Sequence, residues 1–163
     1  MAGIISILAI NVIFAYGIFL SVASGQLNLG GAGFQALGAY AAAMISANYD
    51  LPLFAAMLAG MVIAGLIGVA LAFPILRTKG VYLVLATFAF AEVVAGVIIN
   101  TEFLGGAMGL SVPGYVDWQP PAIAAVLVCL FVFYLMSTRF GLAMRAIHDD
   151  EDVSDLMGVS IRN

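Results

Sequence analysis

Long apolar blocks separated by short polar stretches dominate the pattern along this chain. The blocks lie at residues 4–23, 32–47, 53–76, 81–99 and 121–136. A helix needs roughly 20 residues to cross a hydrocarbon core of about 30 Å, and most of the blocks approach that length, although the second is short. None of them alternates apolar and polar residues as the strands of a membrane barrel do. The pattern therefore predicts an all-α, polytopic membrane helix bundle with about five transmembrane helices.

Composition supports a membrane protein. The chain is 64% hydrophobic and 9% charged, with a mean hydropathy of +1.17, whereas soluble domains are roughly half apolar. No residue before Asp50 is charged, and Glu92 is the one charged residue inside an apolar block. The single cysteine, Cys129, excludes an internal disulfide and is interpreted as a small apolar side chain in the fifth block.

Basic residues set the predicted orientation. Arg77 and Lys79 lie between the third and fourth blocks, and Arg139 and Arg145 follow the fifth. The positive-inside rule places both sites in the cytoplasm, so residues 1–138 form the membrane bundle and residues 139–163 a cytoplasmic segment. The N-terminus is then outside, unless the first two blocks do not cross twice, in which case it moves inside.

A ridge of small residues runs along the third block, at Ala56, Gly60, Ala64, Gly68 and Ala72. This spacing places the five residues on one helix face and lets a neighbouring backbone approach closely. Packing within the chain is favoured over a dimer face, since a polytopic bundle needs such contacts.

The connection between the first two blocks is polar and rich in glycine. Residues 23–34 read ASGQLNLGGAGF and include Gln26 and Asn28 but no charge. A water-exposed turn has this composition, and so does an unwound segment inside the membrane that lies against a transported solute. Both interpretations stay open at this point.

Glu92 lies well inside the fourth block. An intramembrane carboxylate is costly unless it is paired or wetted, so it is either functional or a protonated or hydrogen-bonded structural residue facing the bundle interior. No Lys, Arg or His lies at membrane depth to pair with it. Together with Gln26, Asn28 and Thr87, Glu92 forms the predicted lining of a translocation path.

The chain contains few of the residue combinations that enzymes use for catalysis. One His, one Cys and no paired carboxylates at membrane depth leave no nucleophile–base pair and no metal cluster. The glycine run LGGAMG lacks the Gly-Lys-Ser/Thr ending of a phosphate-binding loop. We therefore expect no catalytic residue, no metal, no cofactor and no nucleic-acid partner.

Three segments of this chain resemble segments of one protein family, and they follow one another in the same order as in that family. They are SGQLNLGGAGFQALGAYAAA, LRTKGVYLVLATFAFAEVV and TRFGLAMRAIHDDEDVSDLMGV. The family is that of the LivM-type permease subunits of bacterial branched-chain amino acid ABC importers. The first segment departs from the family at Asn28, where Ser is commoner, and the outer glycine loop departs at Met108. Because family members continue with further spans, we expect this chain to be the N-terminal part of one.

The resemblance implies a non-enzymatic transport subunit of the bacterial inner membrane. Its partners would be a second, LivH-like permease subunit, two cytoplasmic ATP-binding subunits and an external solute-binding protein. The solute would be a branched-chain amino acid or a related small solute. Two alternatives stay open: a permease of the same superfamily for urea, an amide or a sugar, and a truncated membrane fragment that transports nothing.

The resemblance also implies that the charged tail couples the permease to its ATPase. Eight residues carry this expectation: Arg145, His148, Asp149, Asp150, Glu151, Asp152, Asp155 and Gly158. A single helix through the tail would place its acids at the unfavourable C-terminal end, so we expect a break near His148 or Asp149. A short helix capped by an Asp would follow and end at Gly158. The alternative is a solvated amphipathic helix on the inner surface.

Overall fold

The computed structural model describes residues 2–49, 51–75, 78, 80–112 and 116–149, and for residues 147–149 the backbone alone. The described chain forms six α-helices and two 3₁₀ turns, Glu102–Leu104 and Gly106–Met108. The helices are α1 (Ala2–Ala23), α2 (Gly31–Tyr49), α3 (Leu53–Ile75), α4 (Val81–Asn100), α5 (Gln119–Ser137) and α6 (Arg139–Asp149).

The predicted all-α membrane helix bundle is confirmed. Four helices, α1, α3, α4 and α5, are long and apolar enough to cross a membrane. The short second block is α2, which has 19 residues but is not one of these four. Its sequence is rich in Gly and Ala and includes Gln35, Ser46 and Asn48, which lowers its hydropathy. Whether α2 itself crosses the membrane stays a prediction.

The described chain divides into two compact units, and the first combines Met1–Leu27 with Asp117–Asn163. In this unit α1 packs along α5, and Ala9, Ala125 and Val132 are buried. The Tyr16 hydroxyl lies 3.2 Å from the Cys129 sulfur, within hydrogen-bonding distance for sulfur. Cys129, interpreted from sequence as a purely apolar side chain, therefore also makes a polar contact between the two helices.

Helix α6 follows α5 after one extended residue. Thr138 has φ −87° and ψ 172°, and its hydroxyl donates to the carbonyl of Leu135 at 2.7 Å. This single residue interrupts the helix, and α6 then packs against both α5 and α1. The acid-capped helix predicted to end at Gly158 lies outside the described residues.

The second unit, Asn28–Val116, holds α2, α3 and α4. Gly38 of α2 lies close against Gly60 of α3, and a Cβ added to Gly60 would meet the Gly38 carbonyl oxygen and lie 2.9 Å from the Ala42 Cβ. Ala56 is fully buried, and a Cβ at Gly68 would touch the Phe34 ring at 3.6 Å. The small-residue ridge of α3 therefore packs onto α2 within the chain.

Gly60→Ala should destabilise the chain by about 1–3 kcal/mol, because the added methyl overlaps the α2 backbone and forces the helices apart. Gly65→Ala on the same helix is the matched control, since nothing lies within 4 Å of a Cβ at that position. Thermal unfolding in detergent measures both. Equal melting temperatures for the two variants would contradict the close α2–α3 packing.

Candidate functional site

Helix α1 ends in a glycine cap at the start of the polar connection. The Gly25 amide donates to the Val22 carbonyl at 2.9 Å, and the Gln26 amide donates to the Ser21 carbonyl at 3.1 Å. Gly25 has φ 79°, a left-handed conformation that glycine adopts without penalty. These two bonds form a Schellman motif, which satisfies the last carbonyls of α1 and turns the chain away from the helix axis.

Residues 28–30, here called the docked connector, lie against α4. The Leu29 amide donates to the Thr87 hydroxyl at 3.1 Å, and that hydroxyl donates to the Val84 carbonyl at 3.0 Å. The Asn28 side-chain oxygen accepts from the Gly30 amide at 2.7 Å. Thr87 is 2% exposed and Leu29 is 43% exposed, so the hydroxyl is buried and the bond as a whole is part-buried.

Glycines allow the start of α2 to approach α4 this closely. A Cβ at Gly30 would lie 3.0 Å from the Asn28 side-chain oxygen and 3.3 Å from the Thr87 carbonyl. One turn later, a Cβ at Gly33 would lie 3.0 Å from the Ala91 Cα and from the edge of the Phe90 ring. Side chains at either position would push the docked connector off α4.

The docked connector contacts α4 well inside a helix that is long and apolar enough to cross a membrane. Thr87 is about 9 Å along α4 from Val81 at 1.5 Å per residue, and the 20-residue helix covers about 30 Å in all. Non-helical backbone inside a membrane needs protein partners for its polar groups, and Thr87 supplies one for the Leu29 amide. The geometry thus favours the unwound membrane segment over the water-exposed turn.

The first turn of α2 presents backbone donors at the same depth. The first backbone bond into this helix is donated by the Phe34 amide to the Gly30 carbonyl at 3.2 Å. The amides of residues 31–33 come before that bond and form the positive end of the helix dipole. Hydrogen-bond donors of this kind suit the carboxylate of a small solute.

Two of the four residues predicted to line a path come together. Asn28 and Thr87 both lie beside Gly30. Gln26 is exposed and belongs to the other compact unit. Glu92 is also exposed and is five residues from Thr87, so the two side chains lie about 140° apart around α4, and the path lining stays a prediction.

The residues predicted to couple to an ATPase are described in part. Arg145 is exposed on α6, and His148 and Asp149 are described by their backbone alone. The other five lie outside the described residues. Within the described part of the chain, no three His, Cys, Asp or Glu residues are grouped so that they could hold a metal ion.

Sequence reasoning missed the role of Phe90. Its ring packs against Phe34 with a centroid distance of 4.8 Å and covers the start of α2. The available signal was the spacing of Leu83, Thr87, Phe90 and Val94, which repeats every three and four residues as one packed helix face does.

The whole chain, residues 1–163, matches the family model described as the permease component of a branched-chain amino acid transport system. The chain belongs to this family. Together with the four span-sized helices, this membership makes it a multi-pass membrane protein.

Two curated relatives each match about half of this chain. Both carry the name high-affinity branched-chain amino acid transport system permease protein LivM. The one from Salmonella typhimurium is 43% identical over 90 residues, and the one from Escherichia coli is 39% identical over 89 residues. Each match covers 54% of this chain and 21% of the relative, so the chain spans about a fifth of the relatives' length. No solved structure matches the chain.

Thr87→Val should free the Leu29 amide and destabilise the chain by about 1 kcal/mol, because the isosteric side chain removes the hydrogen-bond partner of this part-buried donor. Thr87→Ser keeps the hydroxyl and is the matched control. Hydrogen exchange at the Leu29 amide measures the effect, which should be faster exchange in the valine variant alone. Unchanged exchange in that variant would show that Thr87 does not hold the docked connector.

Proposed function

We propose that this chain is a permease subunit of an ABC importer that moves branched-chain amino acids across the bacterial inner membrane. The match of the whole chain to a branched-chain amino acid permease family is the observation that carries the proposal. The names of the two LivM relatives agree with it. As a transport subunit, the chain needs no catalytic group of its own.

The docked connector offers a physical reason for an amino acid substrate. In this proposal the amides at the start of α2 lie at membrane depth, where a carboxylate gains more from a helix dipole than it does in water. The Asn28 side chain adds a polar group beside them. Discontinuous helices in secondary transporters bind anionic groups of their substrates in this way. A neutral solute such as urea or a sugar gains less from this arrangement.

The mechanism proposed is conformational. ATP binding and hydrolysis on two cytoplasmic partner subunits would shift the permease between outward-facing and inward-facing states. An external solute-binding protein would deliver the amino acid, which would cross between this chain and a second, LivH-like permease subunit. The N-terminus would lie outside, because Arg77, Lys79, Arg139 and Arg145 then all face the cytoplasm.

ATP-dependent uptake in proteoliposomes tests this function. We expect labelled leucine to accumulate when the chain is co-reconstituted with its two ATP-binding subunits, second permease subunit and solute-binding protein. Accumulation should be lost without ATP and reduced by excess isoleucine or valine. Uptake of urea or a sugar in place of leucine would contradict the substrate. If this chain gave no uptake and a longer version did, the 163 residues would be shown insufficient for transport.

Charge reversal at Asp149, Asp150, Glu151 and Asp152 should uncouple the permease from its ATPase, since these acids are proposed to contact the ATP-binding subunits. Substrate-stimulated ATP hydrolysis should fall, while membrane insertion stays unchanged. Glu102→Lys in the first 3₁₀ turn is the control for a charge change elsewhere. Unchanged ATPase stimulation in the tail variant would count against the coupling role.

A further inference from the structure

Helices α5 and α6 meet at a single residue, Thr138, which hydrogen bonds tie to both helices. Its amide and its hydroxyl both donate to the Leu135 carbonyl, at 3.2 Å and 2.7 Å. Its own carbonyl accepts from the Leu142 amide, in the first turn of α6, at 3.3 Å. Since a residue has only two soft backbone dihedrals, one residue tied in this way leaves little freedom between the two helices.

Gly141 brings the first turn of α6 directly against the end of α5. A Cβ added to Gly141 would lie 2.5 Å from both the Cα and the carbonyl oxygen of Met136, and 2.7 Å from its carbonyl carbon. All three are backbone atoms, so no side-chain rotation could make room. Gly141 is buried and lies within a helix, and it is not one of the positive-φ glycines. The position therefore requires glycine for space, and residues 138–141 are here called the elbow.

The elbow joins α6 to two membrane helices at once. Helix α6 packs against α1 as well as against α5. Helices α1 and α5 are themselves held together by the contact of the Tyr16 hydroxyl with the Cys129 sulfur, and Ala9 and Val132 are buried in them. Both helices are long and apolar enough to cross a membrane. The three helices thus form one contiguous set of packed contacts, along which a displacement can pass.

A flexible hinge between α5 and α6 would have a different structure. Hinges absorb changes of φ and ψ in a few residues that have room to move. In the elbow, a change of φ or ψ at Thr138 weakens its bonds to Leu135 and Leu142, and moving α6 closer drives Gly141 into the Met136 backbone. These contacts favour a fixed angle between the two helices.

We propose that Thr138 and Gly141 are positioning residues that make α6 move as one rigid body with α5 and α1. A displacement of α6 by the ATP-binding subunits would then pass directly to two membrane helices. The transmission step rests on the proposed function, whereas the fixed angle is a property of this chain.

Distances between spin labels test the elbow in the co-reconstituted transporter. One cysteine replaces Ile123 on α5 and a second replaces Ala146 on α6, both of which are exposed. The background is Cys129→Ser, which keeps a hydrogen-bonding group beside Tyr16, and the partner subunits are prepared without cysteines. We expect one narrow distance that is the same without nucleotide and with a non-hydrolysable ATP analogue. A broad distribution, or a shift between the two states, would overturn the proposal.

Gly141→Ala should change this distance, because the added methyl overlaps the Met136 backbone and forces α6 to tilt. We expect the distance to shift and its distribution to broaden. Gly17→Ala is the matched control in the same unit, since nothing lies within 4 Å of a Cβ at that position. A second label pair, at Val22 and Ile123, reports whether α1 and α5 stay packed. An unchanged α5–α6 distance in the Gly141 variant would overturn the proposal.

Thr138→Val keeps the test decisive if the alanine variant does not assemble. Valine accepts the extended backbone of this position and removes only the hydroxyl bond to the Leu135 carbonyl. The same α5–α6 distance should broaden, and Thr138→Ser, which keeps the hydroxyl, should leave it narrow. A distance that stays equally narrow in the valine variant would overturn the proposal.

The number of ATP molecules hydrolysed for each leucine transported tests the transmission step. Gly141→Ala should raise this ratio about fivefold or more, the lower end of the usual coupling between two sites. Gly17→Ala should leave the ratio unchanged. A merely structural defect lowers ATP hydrolysis and leucine uptake in proportion, so an unchanged ratio in the Gly141 variant would overturn the role of the elbow in transmission.

The elbow and the proposed function fail separately. Leucine uptake by a transporter in which the α5–α6 distance shifts between the two states would contradict the elbow alone. A narrow distance that is the same in both states, in an assembly that takes up no leucine, would contradict the proposed function alone.

Discussion

The hydrogen bond from the Leu29 amide to the Thr87 hydroxyl is the contact on which the second unit depends. Backbone that leaves a helix inside a membrane has no water to bind its polar groups, so protein must satisfy each of them. Thr87 can accept from Leu29 because its own proton goes to the Val84 carbonyl. One buried hydroxyl thus supplies the partner for an amide that an unwound segment leaves outside any helix.

That contact requires close packing of α2 against α3 and α4. The docked connector reaches Thr87 only because Gly30 and Gly33 carry no side chain against α4, and α2 can continue from there only because Gly38 fits against Gly60 of α3. The same small residues that lower the hydropathy of α2 let it lie between two span-sized helices. Its low hydropathy therefore reflects contact with protein in place of lipid.

The apolar blocks predicted all of the long helices to within a few residues, because hydropathy and length decide where a helix can lie in a membrane. The polar connection was the harder part, since its composition fits a turn as well as an unwound segment. The contact between Thr87 and Leu29, which composition does not reveal, favours the unwound segment. The prediction grouped Thr87 with Glu92 because both are polar residues in the fourth block. In the structure their side chains lie about 140° apart around α4. A list of the polar residues in an apolar block does not say which side of the helix each residue faces.

The depth of residue 29 in the bilayer tests the central claim most directly. The chain has one tryptophan, Trp118, so Leu29→Trp in a Trp118→Phe background reports a single position. Quenching by lipids that carry quenchers at known depths then compares it with Val81→Trp at the start of α4 and with Phe88→Trp beside Thr87. The account predicts that residue 29 lies at the depth of Phe88, about 10 Å below the helix start. Quenching at the depth of Val81, near the headgroups, would contradict it.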